Sequence, residues 1–399
     1  MSTARRTDPS PFTEITGPAR HAAFAELATT GPVQQVDLFT GVRAWVSTGY
    51  AETRALLAHP DVVKGGAPFL DAVSPEVAAA MNTHLLGANP PDHTRLRRLV
   101  SAAFTARRTE ALAPRIQEIT DALLDGLEAA GPGPVDLVAG FAYPLPITVI
   151  AELLGIPELR RDDFRRSSSI VTNGALHGLD AWGRAAIEMV GYVRELIAEK
   201  RAAPADDLLS DLIAVQDGGD RLSADELSSM VFLLLTAGHE TTVNLICAGT
   251  HALLTHPDQL ALLRAEPHRW PAAVNELLRF DGPLQVAIPW ETAAPVRVGD
   301  VTIPAGDVIV TALLAANRDP VRYPDPDLLD ITRDASSHLA FGHGIHHCIG
   351  APLARLEGRI ALSSLFGRFP ELRLATGDEP TREVGLLMNK LVRLPVIVR

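Results

Sequence analysis

Apolar residues recur every three or four positions through much of the middle of the chain. This spacing covers residues 92–130, 146–163 and 181–202, as in the run IQEITDALLDGLEAA. A period near 3.6 residues places the apolar side chains on one face of an α-helix. The pattern therefore predicts amphipathic helices that bury one face against the rest of the protein.

Shorter runs of β-forming residues lie nearer the two ends. PVQQVDL and RAWVST flank a Thr-Gly turn before the helical stretch YAETRALLAH, residues 296–313 alternate around two turns, and LVRLPVIVR lies close to the C-terminus. Alternation bounded by turn residues indicates strands. No internal repeat or long linker interrupts the chain. The expected fold class is mainly α with small β-sheets, in one domain spanning residues 1–399.

The most apolar segment is residues 223–254, SADELSSMVFLLLTAGHETTVNLICAGTHALL. Ser223 and Glu226 have the spacing of a helix capping box. A helix that is apolar on every side either lies in the core of a large protein or crosses a membrane. The polar group from His239 to Asn244 at mid-length, and the lack of flanking Lys or Arg, favour a buried helix in a protein that does not enter a membrane.

Glu240 is the only formally charged residue between Leu227 and Pro257. A lone buried carboxylate costs several kcal/mol unless it is paired, hydrated or protonated. We therefore take Glu240 as a candidate functional residue together with Thr241, whose hydroxyl can return to a backbone carbonyl. Ala237 and Gly238 remove bulk for one turn beside them. A polar network satisfied within the protein explains the same residues, and the helix alone does not decide between the two.

Composition and charge narrow the class of protein. The chain has 399 residues, 47% of them hydrophobic, and a formal net charge of −12. Such a chain buries a large core, and its acidic balance argues against nucleic acid as its main partner. The polar, proline-containing start lacks the apolar run of a signal peptide. We expect a cytoplasmic protein.

One of the two cysteines, Cys348, lies in the glycine-rich loop HLAFGHGIHHCIGAPLAR. Cys348 could bind zinc together with His343 and His347. A zinc site of this kind would need a further cysteine, and the glycine-rich loop does not give the two histidines the spacing of a helix face. A nucleophilic thiol would need a base from elsewhere, because adjacent loop residues point apart. A thiolate ligand to haem iron needs backbone N–H groups and a helix N-terminus around the sulfur, and the glycines and the following helix supply both.

The segment Phe341-Gly342-His343-Gly344-Ile345-His346-His347-Cys348-Ile349-Gly350 resembles the cysteine-ligand loop of cytochromes P450. The resemblance implies haem b with Cys348 as its axial metal ligand. It also implies that His346 bonds a haem propionate and that Phe341 packs on the sulfur side of the haem. The expected fold is the P450 fold, with haem between the long central helix and the helix that follows the cysteine loop.

Three further motifs agree with this resemblance in order and spacing. Ala237-Gly238-His239-Glu240-Thr241-Thr242 is similar to the family's oxygen-activation stretch, which implies that Ala237 borders the haem and that Glu240 and Thr241 relay protons. His93-Thr94-Arg95-Leu96-Arg97 is similar to the helix whose histidine and arginine contact propionates. Glu276-Leu277-Leu278-Arg279 is similar to the structural Glu-x-x-Arg helix, with Arg322 as the expected third member of its ion-pair cluster.

At position 290 the chain has tryptophan where related sequences usually have an arginine that neutralises a propionate. We therefore expect haem anchoring to depend on His93, Arg97 and His346, with Trp290 packing in the pocket wall.

The implied activity is a haem-thiolate monooxygenase that inserts one oxygen atom from O2 into a bulky hydrophobic molecule of secondary metabolism, such as a polyketide or macrolide. The sequence contains neither CxxC spacing nor Gly-x-Gly-x-x-Gly, so electrons are expected from a ferredoxin and its ferredoxin reductase. Oxidative coupling or ring formation, a peroxygenase and a non-catalytic haem sensor remain alternatives.

Overall fold

The computed structural model describes residues 10–65, 73–104, 106–156, 170–171, 178–217, 220–377 and 379–399. Helices dominate and the sheets are small, which confirms the predicted fold class. The helices are α1 Gly17–Thr29, α2 Tyr50–Ala58, α3 Pro75–Asn82, α4 Asp92–Ala103, α5 Ala106–Ala111, α6 Ala113–Ala129, α7 Pro144–Leu153, α8 Leu179–Ala202, α9 Leu208–Ala214, α10 Ala224–Thr255, α11 Pro257–Ala265, α12 Trp270–Asp281, α13 Leu313–Ala316 and α14 Ala351–Arg368.

The strands form a five-stranded sheet and smaller ones beside the helices. The larger sheet has the order β1-β2-β10-β7-β3, with β10 parallel to β2 and the other neighbours antiparallel. The strands are β1 Val33–Asp37, β2 Arg43–Ser47, β3 Val62–Val63, β4 Val135–Asp136, β5 Gln216–Asp217, β6 Asp220–Arg221, β7 Trp290–Thr292, β8 Val296–Val298, β9 Val301–Ile303, β10 Val308–Thr311, β11 Arg373–Leu374 and β12 Pro395–Ile397.

Helix α10 runs through the largest hydrophobic core. Its capping box forms as predicted, since the Ser223 hydroxyl accepts from the Glu226 N–H and the Glu226 carboxylate accepts from the Ser223 N–H. The helix is long and apolar enough to cross a membrane, yet 72% of its most apolar window is buried inside the protein. Tertiary packing therefore accounts for its hydrophobicity.

Two glycines let α10 and α14 approach closely where they cross. A Cβ at Gly358 of α14 would lie 2.7 Å from Leu245 of α10, and a Cβ at Gly249 would lie 3.2 Å from Leu362. A separation below 3 Å requires the neighbouring atoms to shift. The crossing fixes α14, and with it the preceding cysteine loop, against the central helix.

The N-terminal helix is bound to the C-terminal segment by a buried polar cluster. Arg20 of α1 donates to Asn389 Oδ1 at 2.9 Å, and Arg382 donates to Asp281 Oδ2 at 2.6 Å. Asn389 also donates to Asp281 Oδ1 at 2.8 Å. Hydrogen bonds to charged groups in a dry environment stabilise more than those at the surface. This cluster holds the two ends of the described chain together.

Candidate active site

The turn of α10 from Ala237 to Thr241 has two chemically different sides. Ala237 is exposed and Thr241 half-buried, whereas Glu240 is almost fully buried. Thr241 Oγ1 donates to Ala237 O at 3.0 Å, the predicted return of the hydroxyl to the backbone. The hydroxyl is thereby fixed on the helix surface beside the small Ala237 side chain.

Glu240 is paired with a lysine that the sequence did not indicate. Its Oε2 lies 3.1 Å from Lys390 Nζ, and Lys390 Nζ lies 3.6 Å from Glu383 Oε2. The Lys390 side chain is 17% exposed, so it connects the buried carboxylate to solvent. His239 Nε2 lies 3.8 Å from Glu240 Oε1, and burial lowers the pKa of His239, which keeps that ring neutral. The polar group in α10 thus includes a buried carboxylate whose paired cation is partly exposed.

The cysteine loop folds back on itself with the help of a backbone hydrogen bond at Cys348 and two left-handed glycines. Cys348 N donates to Phe341 O at 2.9 Å, and Gly342 and Gly344 have φ values of 71° and 73°. A Cβ at Gly344 would lie 2.6 Å from Leu57 O of α2. Gly344 is therefore required both by its backbone conformation and by its close approach to α2.

Opposing effects act on the Cys348 thiol. The residue is exposed, yet the protein atoms around its sulfur exclude part of the bulk water, and this desolvation raises the pKa of the thiol. Backbone N–H groups of Gly350 and Ala351, with the cations Arg97 and Arg355, lower the pKa in part. A metal ion bound to sulfur supplies the remaining positive charge and deprotonates a coordinating thiol. The surroundings suit a metal-bound thiolate.

Helix α4 meets the cysteine loop beside a cluster of ring N–H groups. Arg97 Nη1 donates to Ile345 O at 2.9 Å, and the His93 and His346 rings lie 4.3 Å apart. The Trp290 ring lies 4.9 Å from the His346 ring. The ring nitrogens of all three side chains are buried without a hydrogen-bond partner. Such orphaned donors are costly unless an acceptor reaches them.

Both histidines of this cluster are neutral near pH 7. Burial lowers the pKa of His93, and burial together with the charge of Lys64 lowers the pKa of His346 to about 3. A neutral imidazole still carries one N–H donor. The cluster thus presents N–H donors and nearby cations, which is the chemistry that binds carboxylates.

A family model described as "Cytochrome P450" matches residues 179–394 of this chain. Cytochrome P450 107B1 of Saccharopolyspora erythraea is 46% identical and covers 99% of both chains. The chain is a member of the cytochrome P450 family. The 6-deoxyerythronolide B hydroxylase of the same organism is 45% identical, with 94% of this chain and 95% of that protein covered. This P450 is accordingly an oxidoreductase of the monooxygenase type, and the resemblance seen in the sequence is confirmed.

Solved structures agree with the sequence relatives. The tirandamycin C-bound P450 monooxygenase TamI has a TM-score of 0.86 at 40% identity, with 96% of this chain and 98% of that chain covered. The agreement over nearly the full length confirms the P450 fold expected from the cysteine loop.

The residues of this P450 fit the haem that its family implies. Cys348 offers one sulfur ligand beside the start of α14. The orphaned N–H groups of His93, His346 and Trp290 stand where a carboxylate-bearing group finds donors. Zinc is a poor alternative, because the described ranges contain no group of three or more His, Cys, Asp or Glu side chains suited to hold a metal ion.

The structural ion pair around Glu276 corrects one sequence prediction. Arg279 donates to both oxygens of the Glu276 carboxylate, at 2.7 and 2.8 Å, and both side chains are fully buried. The third member is Arg333, whose Nε lies 3.5 Å from Glu276 Oε1, and the assignment of Arg322 was wrong. Arg322 donates instead to the Ser337 hydroxyl at the surface. Both arginines lie in the polar loop that follows α13. Their positions in the sequence therefore did not show which of them reaches Glu276.

Phe341 is half-buried at the start of the cysteine loop. The Arg355 guanidinium of α14 lies 4.5 Å from the centre of its ring, and Arg355 Nε donates to Asn275 Oδ1 at 2.9 Å. A guanidinium above an aromatic face is favourable, and the second bond holds it there. Phe341 thereby joins the cysteine loop to α14 and α12.

Proposed function

We propose that this P450 binds haem b with Cys348 as axial metal ligand. His93, Arg97 and His346 bind its propionates, while Ala237 and Phe341 border its faces. The supporting observation is that an accessible thiol and a cluster of orphaned N–H donors lie in one part of the fold. Bound haem with a thiolate ligand supplies the chemistry that inserts one oxygen atom of O2 into an unreactive C–H or C=C bond.

Glu240 and Thr241 deliver the protons that this reaction consumes. The Thr241 hydroxyl donates its hydrogen to Ala237 O, which leaves the lone pairs of its oxygen free to accept a hydrogen bond and orient proton delivery on the accessible side of α10. Glu240 takes up protons on the buried side, where Lys390 pairs with its carboxylate and reaches toward solvent. A carboxylate between water and a dry site is suited to carry protons. A peroxygenase or a haem sensor has no need of this pair.

The substrate is a bulky hydrophobic small molecule of the polyketide or macrolide type. The relative named 6-deoxyerythronolide B hydroxylase, and the TamI structure with tirandamycin C, support this class. The sequence segments expected to line the pocket are 65–87, 167–182 and 282–290, of which 66–72, 167–169 and 172–177 lie outside the described residues. In the last segment Ile288 is 40% exposed, an apolar group available to such a ligand.

Electrons come from a ferredoxin served by a ferredoxin reductase. The exposed Arg98 lies on α4, the helix whose Arg97 bonds the cysteine loop, and provides positive charge for an acidic partner in an otherwise acidic protein. Rising ionic strength then slows reduction of this P450 by ferredoxin. A reduction rate independent of salt contradicts this choice of partner. We further propose that the protein is cytoplasmic and that residues 1–399 form one domain.

Titration of the purified enzyme with macrolides and linear polyketides tests the substrate class. A ligand that displaces water near haem shifts the Soret band, so members of the class are expected to give saturable shifts in the micromolar range. Short fatty acids and small aromatic compounds serve as matched comparison ligands. If only these comparison ligands shift the Soret band, the proposed substrate class is contradicted. The assignment of the protein as a monooxygenase is not affected by that result.

A further inference from the structure

Lys64 is fixed next to the N–H cluster by both of its backbone groups. Its N–H donates to Asn89 Oδ1 at 2.8 Å, and Asn89 Nδ2 donates to Lys64 O at 3.0 Å. The residue directly follows β3, which pairs with β7, the strand that begins at Trp290. The pairing of these two strands brings Lys64 and Trp290 together.

The Lys64 side chain is turned inward. It is 9% exposed, and its Nζ lies 3.4 Å from the centre of the Trp290 ring and donates to Ile288 O at 3.1 Å. Among the described residues no carboxylate pairs with Lys64, whose pKa is shifted by burial alone, and Glu291 packs against Gly65 instead. Burial lowers the pKa of Lys64 to about 7. A buried ammonium without a counter-charge is costly. Because the indole fixes the position of this ammonium, we expect an anion to bind beside it.

Trp290 connects this lysine to the donors already described. One side of its ring contacts Lys64, the ring packs in a T-shaped arrangement with His346, and its Nε1 is buried without an acceptor. Among the described residues, Lys64 and Arg97 are the Lys and Arg side chains whose charges act on His346, alongside the neutral His93. Haem carries two carboxylates on one edge, so two cations match its charge.

We propose that Lys64 and Trp290 form one carboxylate-binding element for the haem edge, in which Lys64 supplies the charge and Trp290 holds the ammonium in place and adds its Nε1 donor. The inference rests on the proposed haem site. It accounts for a tryptophan at position 290: the positive charge comes from Lys64, which follows β3, the strand paired with β7, rather than from position 290 itself.

Haem retention tests this element without using catalytic activity. Purified holoenzyme is mixed with excess apo-globin, and the rate of haem transfer is followed in the Soret region. Lys64→Met is expected to lose haem about tenfold faster than the unchanged protein, the effect of one desolvated ion pair. Trp290→Phe, which keeps a ring beneath the ammonium but removes the N–H donor, is expected to lose haem about threefold faster.

Matched variants separate charge from packing. Lys64→Arg keeps the charge and is expected to retain haem within about threefold of the unchanged protein. Lys200→Met removes a lysine that pairs with Asp207 away from this cluster and is expected to leave transfer unchanged. In Lys64→Met, the second change Trp290→Arg is expected to restore retention, because it returns a cation to the same edge. Trp290→Arg alone is expected to fold normally.

The proposal is overturned if Lys64→Met loses haem no faster than Lys200→Met, or if Trp290→Arg fails to slow the loss from Lys64→Met. Either result contradicts the role of Lys64 and Trp290 only. The proposed haem site is still supported if the unchanged protein shows the spectrum of a thiolate ligand. Absence of that spectrum in the unchanged protein contradicts the proposed haem site, so the two failures are distinct.

Discussion

Lys390 Nζ lies 3.1 Å from Glu240 Oε2, joining the C-terminal segment to the middle of α10. The two residues are about 150 positions apart in the chain. A buried carboxylate that faces a partly exposed cation has its charge balanced. This ion pair makes Lys390 a positioning residue for proton uptake, because it acts through Glu240.

Glu240→Gln removes the ionisable group and is expected to lower turnover by about 10²-fold, the lower range for a lost proton-transfer group. Lys390→Met is expected to lower turnover less and to increase the solvent isotope effect, while Lys390→Arg restores most of the rate. Because both residues act in one step, the double variant should be no slower than Glu240→Gln alone. A double variant that loses the product of the two single effects contradicts this coupling.

Thr241→Ala removes the hydroxyl that donates to Ala237 O. The Thr241 oxygen orients proton delivery on the accessible side of α10, so the variant is expected to consume oxygen at a near-normal rate while forming several-fold less product. Oxygen uptake and product are measured in the same reaction, with Thr241→Ser as the control that keeps a hydroxyl. Fully coupled turnover in Thr241→Ala contradicts the assigned relay.

Two glycines in the cysteine loop offer a matched comparison. Gly342→Ala and Gly344→Ala both place a side chain at positive φ, which costs about 1–2 kcal/mol. Only at Gly344 does the new Cβ meet backbone at 2.6 Å, since the nearest atom at Gly342 is 3.9 Å away. Thermal unfolding should show the larger loss for Gly344→Ala, together with a smaller fraction of thiolate-bound haem. Equal losses in the two variants contradict the close approach to α2.

Arg333 and Arg322 separate the observed ion-pair cluster from the one expected from sequence. Arg333→Met leaves the buried Glu276 without one of its cations and removes bonds to Pro324 O and Asp325 O, so it is expected to destabilise by about 2–4 kcal/mol. Arg322→Met, at the surface, should remain within about 0.5 kcal/mol. Urea unfolding of both variants measures the difference. A greater effect at Arg322 reverses the assignment.

Asp281 gives the fold a defined pH dependence. Burial raises the pKa of Asp281, but Arg382, His21 and Arg318 outweigh it and hold the pKa well below its usual range. A carboxyl whose folded pKa is depressed stabilises the protein above its unfolded pKa near 4, and this contribution is lost as pH falls further.

Asp281→Asn is therefore expected to cost about 3–5 kcal/mol at pH 7, with the difference from the unchanged protein shrinking below about pH 4. Asp61→Asn, at a half-exposed position, serves as the control. Free energies of unfolding between pH 3 and pH 7 provide the measurement. A difference that grows toward low pH contradicts a depressed pKa for Asp281 in the folded protein.

The sequence predicted those structural features that depend on interactions between residues close together in the chain. The capping box of α10, the β1–β2 pair before α2, and the cysteine loop before α14 depend on residues close together in the chain. The helix predicted over 146–163 is observed as Pro144–Leu153, and residues 157–163 lie outside the described part.

Partners from distant segments were not predictable from sequence patterns. Lys390, Arg333 and Lys64 reach their partners through tertiary packing, and a single lysine or arginine in a loop gives no periodic signal. The expectation that His93, Arg97 and His346 anchor the propionates did not include Lys64. Lys64 reaches Trp290 through the pairing of β3 with β7, and the sequences of these two short strands do not indicate that they pair.

The central claim is that Cys348 is the axial ligand of a bound haem, and the carbon monoxide spectrum of the reduced protein tests it most directly. The unchanged protein is expected to show the red-shifted Soret band of thiolate coordination, and Cys348→Ser is expected to lose that band while Cys247→Ser keeps it. A colourless protein, a spectrum typical of imidazole coordination, or a red-shifted band that persists in Cys348→Ser contradicts the account.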